Sequence, residues 1–193
     1  MGMIAYKGFN SDMTCTMGKG TFQYAPGVTV DESGTGAKCA QTGLHCAEDP
    51  LDVLDYYGNP ESSRYFIVKA EGDINEDGHG TRISCTRMTP TKELTIQKLA
   101  LHACHYIVSH PERKNNKRVK QEKGTADEYF VIVRGKNPIA RGEMGSMLFL
   151  LQEEKDSKEI KEMGAYEVDG RNIKEDTWYD IAGNEVSREN GKG

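Results

Sequence analysis

No apolar run in this sequence approaches the roughly 20 residues that a helix needs to cross a bilayer. The longest, "MGSMLFLLQEE", breaks off after a few residues. The start, "MGMIAYKGFNSDMT", has neither the basic stretch nor the apolar core of a secretory signal, so a cytoplasmic protein with no membrane association is expected. Tyr6 stands where an N-myristoylation signal needs Ser or Thr. Cysteine is sparse and odd in number, at Cys15, Cys39, Cys46, Cys85 and Cys104, and no CxxC occurs. Without a secretory signal this is no disulfide framework, and buried thiols are expected. A nucleophile elbow is also missing. The net charge of −5 argues against general nucleic-acid binding.

What remains is a polar chain with a modest core. Its 193 residues fit one domain or two small ones, and its hydrophobic share of 36% is low for a globular protein. "MIAYKGF" alternates as a first strand. "TFQYAPGVTV" reads as a strand, a Pro-Gly turn and a second short strand. Asp49-Pro50 opens a short helix, with Asp49 as cap and Pro50 at the first helical position, and Gly58-Asn59-Pro60 stops it. "SRYFIVKAEG" and "TRISCTRMT" are strands either side of an acidic loop. A longer helix is expected near residues 91–109, ending at His110-Pro111. "DEYFVIVRG", "NPIARGEMGSMLFLLQEE" and "GAYEVDGRNIKEDTWYDIAGNEV" read as further strands with Gly-marked turns. The pattern predicts an α+β fold: a mainly antiparallel β core with two helices, an N-terminal domain over 1–136 and a small β-rich C-terminal subdomain over 137–193.

Three clusters carry candidate chemistry. "ERKNNKRVKQEKG" gathers Arg113, Lys114, Lys117, Arg118, Lys120 and Lys123 in an otherwise acidic chain, a surface suited to phosphate or to an acidic protein face. "DINEDG" has the alternating oxygens of half a calcium loop at Asp73, Asn75 and Asp77, but Ser84 stands where the bidentate Glu should fall, so an acidic hairpin loop is the better reading. His102 and His105, one helical turn apart, and Cys39, Cys46 and Cys104 have no zinc-site spacing, so no metal is expected.

The stretches "IAYKGF", "GLHCAEDPLDVLDYY" and "RYFIVKAEGDI" resemble a family of uncharacterised bacteriophage proteins with a "GFHAC-x-x-PLDV-x-x-YY" signature. The C-terminal "GKNPIARGEMGSMLFLLQEE" and "YEVDGRNIKEDTWYDIAGNEV" are similar to the tail of that family, whose other members carry Ser-Ala-Gly repeats between the two ends. The resemblance implies a phage-encoded protein that needs no cofactor. It would bind and inhibit a host protein or protein–RNA complex in the host cytoplasm, an antiviral-defence component of CRISPR type. The basic residues 113–123 and the acidic "AEDPLDVLD" helix would be its contact surfaces.

The order of motifs also resembles ADP-ribosyltransferases of the poly(ADP-ribose) polymerase type. Lys7-Gly8 stands where a strand-ending His-Gly would, "GLHCAEDPLDVLDYY" where the Tyr-bearing segment would, and "DEYFVIV" where the Glu strand would. This second resemblance implies NAD as cofactor and a catalytic set of Lys7, His45, Tyr57 and Glu128. The first-motif residue would hold the nicotinamide-side ribose, and Glu128 would polarise the ribose hydroxyl and stabilise the developing positive charge.

Overall fold

The computed structural model describes residues 2–15, 21–38, 41–76, 80–126 and 128–187. The fold is α+β and mainly antiparallel, with a second β-rich region. It divides into two compact units, Met1–Leu99 and Ala100–Gly193. No helix among the described residues is long and apolar enough to cross a membrane.

In the first unit, β1 (Met3–Asn10) lies between β6 (Ser63–Glu76) and β5 (Leu44–Ala47). β7 (Arg82–Leu94) pairs with β5, with β6 and with the short β4 (Val30–Asp31). Since β6 pairs with both β1 and β7, the strands β1, β6, β7 and β5 form a closed antiparallel circuit. β2 (Thr14–Cys15) and β3 (Phe22–Gln23) make a separate small ribbon. The two-residue period of β1 puts Ala5, Lys7 and Phe9 inside, while Ile4 is 60% exposed. Phe9 packs edge-on against Phe66 and tilts against Tyr24.

The helix opened by Asp49 is a 3₁₀ helix, Pro50–Asp55, and the Asp49 carboxylate caps it by accepting the Leu51 N–H at 2.9 Å. The second helix starts later than the sequence suggests. Residues 90–94 extend β7 because Pro90, which has no N–H to offer, sits opposite Val68 beside a bulge and gives its carbonyl to the Gly27 N–H at 2.7 Å. The helix α1 (Ile96–Ser109) then begins after Thr95, whose hydroxyl accepts the Lys98 N–H at 3.2 Å.

The second unit carries β8 (Val119–Ala126), β9 (Phe130–Gly142), β10 (Met147–Glu153) and β11 (Ile160–Glu167) in the order β11-β10-β9-β8. Only β10 and β11 are antiparallel here; β8–β9 and β9–β10 are parallel. Straight parallel neighbours need a crossover of about a dozen residues, yet residues 127–129 are all that separate β8 from β9. The register resolves this. Val119 stands beside Ile132, Ala126 beside Gly142, and Phe130 in turn beside Met147. From β8 to β10 the chain therefore winds as stacked coils, each strand returning one level on, and β11 turns back antiparallel along β10. The interior holds Val131, Val133, Ala140, Leu148, Leu150 and Tyr179. β9 runs unbroken through position 137, and the compact units divide at Leu99/Ala100.

Candidate functional site

A cavity of about 730 Å³ opens in the first unit. Its lining comes from β1, β5 and the 3₁₀ helix, together with Cys15, Phe22 and Tyr24. Lys7, His45 and Tyr57, three residues far apart in sequence, line it together.

Lys7 is only 6% exposed, because the strand period that buries Ala5 and Phe9 buries it too. Its ammonium donates to the His45 carbonyl at 2.6 Å and lies 5.5 Å from the ring centres of both Phe9 and Tyr24. The aromatic faces favour a cation there. Among the described residues no carboxylate forms an ion pair with it.

The His45 imidazole is half-buried, and burial, with the charges of Lys7 and Arg82, pulls it below its ordinary value of 6.5. His45 faces Ser84 across the β5–β7 pair, and the buried Ser84 hydroxyl has no hydrogen-bond partner among the described residues. Tyr57 donates its hydroxyl to the Cys15 thiol at 3.1 Å and accepts the Tyr65 hydroxyl on its carbonyl at 2.7 Å. Burial, with Cys15, pushes the Tyr57 phenol far up, so it stays protonated. Cys46 also lines the cavity, and its thiol hydrogen-bonds Cys85, which draws the Cys85 thiol below its usual range. Cys15, Cys46, Cys85 and Cys104 are buried free thiols; Cys39 lies outside the described residues.

Glu128 belongs to the second unit, exposed just ahead of β9, and is not among the cavity's lining residues. The carboxylates that do line the cavity are Glu32 and Asp52, and Arg82 lines it as a second cation. The sequence points to neither Glu32 nor Arg82, and to Asp52 only as part of the acidic helix. Arg82 is delivered by β7 across from Ala47, and Glu32 follows β4, so strand pairing alone brings them to the site. Asp52 carried a local signal, since it is the acidic residue in the first turn of the capped helix.

The basic residues divide between two settings. Arg113, Lys114, Lys117 and Arg118 sit in the connection after α1, whereas Lys120 and Lys123 belong to β8. Lys123 places its ammonium 4.2 Å from the Trp178 ring centre, and the Arg141 guanidinium lies 4.9 Å from the same ring. Among the paired aromatics, Tyr56 is 47% exposed and Trp178 half-buried, while Tyr57 and Tyr179 are core residues. Asp73 and Asn75 lie in β6, and Asp73 accepts the Ala37 N–H at 3.1 Å. Asp77 and Gly78, the rest of the calcium-like stretch, lie outside the described residues. Among the described residues no group of three or more His, Cys, Asp or Glu could hold a metal ion.

Residues 3–102 match the family described as a domain of unknown function, DUF7666, and the chain belongs to that family. The match takes in every element from β1 to β7, and with them all the residues lining the cavity. No curated protein matches the chain, and no solved structure matches it.

Proposed function

We propose that the first unit is a small-ligand-binding domain, and that NAD is the ligand to test first. One observation carries this reading: Lys7, His45 and Tyr57, the residues that the transferase-like motif order singles out, line one cavity of about 730 Å³. That volume falls in the range typical of small-molecule and cofactor sites. The lining is largely aromatic and apolar, with a few polar groups that would orient a ligand, among them Lys7, His45 and Arg82. Within the first unit the carboxylates that line the cavity are Glu32 and Asp52.

Isothermal titration of the purified protein with NAD tests the reading. Saturable binding in the micromolar range, weakened in Lys7→Ala, supports it. An absence of heat up to millimolar NAD at two temperatures rejects NAD as the ligand.

A second reading draws on the other unit. A phage-encoded protein that blocks a host defence component in the cytoplasm would use the basic residues near β8 together with Trp178, whose ring lies against two cations. Arg and Trp are enriched among the residues that dominate binding at interfaces. Affinity capture from infected host cells, compared with a Trp178→Ala, Lys123→Glu variant, tests it. A partner retained equally by both proteins would reject that surface.

A further inference from the structure

We propose that Lys7 is the seat for an anionic oxygen group, a phosphate or a carboxylate, on a ligand that also carries a flat ring. The inference rests on the cavity being a ligand site and names the class of ligand it takes.

Lys7 carries a charge that the protein leaves unbalanced among the described residues. Lys7 is 6% exposed, and its ammonium makes one hydrogen bond, to the His45 carbonyl at 2.6 Å. An ammonium has three N–H donors, so two are left without an acceptor among the described residues. Burying a cation without a counter-charge is costly, and the rings of Phe9 and Tyr24 offset only part of that cost. Such an ion persists where a ligand supplies the missing acceptors. Lys7 lines the cavity directly, so an anionic oxygen entering there would reach it.

The rest of the lining describes the ligand's other end. Phe22 and Tyr56 also line the cavity, yet they are 39% and 47% exposed, so aromatic surface remains uncovered at the site. Aromatic side chains left open to solvent can stack on a flat ring or cover an apolar one. Glu32 and Asp52 line the cavity too. A ligand carrying negative charge at every point would be repelled by them, so a single anionic end is favoured over a polyanion.

Titration calorimetry at low salt decides between the sources of the anion. The probes are adenosine, AMP, benzoate and inorganic phosphate, on wild type and on Lys7→Gln, which keeps a donor for the His45 carbonyl but carries no charge. Adenosine offers a ring alone, AMP a ring with phosphate, and benzoate a ring with carboxylate. At least one ring-bearing anion should bind ten-fold or more tighter than adenosine, and should lose that margin in Lys7→Gln. Inorganic phosphate should compete with it in the wild type, a readout that holds even if the variant does not fold. AMP in that role identifies phosphate as the anion, and benzoate identifies carboxylate.

Adenosine binding as tightly as AMP and benzoate overturns the anion seat and leaves the ligand-binding reading standing. Anion binding that Lys7→Gln does not weaken, or that phosphate does not compete with, also overturns it, as does the failure of every probe. A Lys7-dependent anion that binds where NAD does not would uphold the seat and reject NAD.

Discussion

The Lys7 ammonium and the His45 carbonyl, 2.6 Å apart, join β1 to β5 at the cavity. A lysine this deeply buried, with no carboxylate partner among the described residues, is a burden on the fold. Replacing a buried charge by an apolar side chain of similar volume is commonly neutral or stabilising. Lys7→Met should therefore leave the free protein between equally stable and about 2 kcal/mol more stable, while ligand affinity falls. Urea unfolding of the free protein checks this. A loss of more than about 1 kcal/mol would mean that Lys7 is there to hold the fold.

His45 should report the same environment through pH. Its imidazole is drawn below 6.5 by burial first and by Lys7 and Arg82 next. The unfolded chain then takes up a proton that the folded one resists, so stability falls as pH drops from about 6.5 toward the folded value. NMR titration of the imidazole should place His45 below 6.5, and His45→Gln should flatten that part of the pH–stability curve. A His45 midpoint at or above 6.5 would contradict the desolvated setting. An anion bound at Lys7 should raise the midpoint, because it favours the charged imidazolium.

Gly8 sets how close Tyr57 can come to β1. A Cβ built on Gly8 would lie 2.6 Å from Cγ and 2.7 Å from Cβ of Tyr57, where no atom fits. Gly8→Ala must push the ring away and strain its hydrogen bond to Cys15, at a cost of about 1–3 kcal/mol. Urea midpoints for Gly8→Ala, for Tyr57→Ala, which removes the Cγ and Cδ2 that the new methyl would meet, and for the pair should show a combined loss smaller than the sum of the single losses. Additive losses would disprove the clash.

Much of the first unit could be read from local pattern. The alternation in "MIAYKGF" and "SRYFIVKAEG" and the Asp49-Pro50 start correspond to β1, β6 and the capped helix. The inward-facing side of β1 was harder, because Ile4 and Tyr6 look like the core face, while pairing with β6 buries Ala5, Lys7 and Phe9. Burial of a lysine is a tertiary event with no local signature. β8 was hidden in a basic run, since strand formation there depends on Ile132 and Val133 standing alongside. The coiled path of the second unit was out of reach for the same reason. Period-two alternation shows that a segment is a strand and leaves open which neighbour lies parallel to it.

Arg134 is the counterpart of Lys7 in the second unit, a buried cation whose partners are all supplied by the protein. It is 1% exposed. Its Nε donates to Glu153 at 2.7 Å and its Nη1 to Asn115 at 2.8 Å, while its Nη2 donates to the carbonyls of Pro111 and Lys158 at 2.8 and 2.6 Å. One guanidinium thus gathers the connection after α1, the strand β10 and the turn before β11. Arg134→Met would leave a carboxylate, the Asn115 amide oxygen and two backbone carbonyls without their donor, at a cost of about 3–5 kcal/mol. Arg134→Lys should recover little of it, because an ammonium keeps the charge but cannot reproduce the planar fork. Trp178 is the sole tryptophan and lies in this unit, so its fluorescence follows unfolding there directly. Arg134→Lys with a wild-type urea midpoint would show that charge alone, and not the fork geometry, holds these segments together.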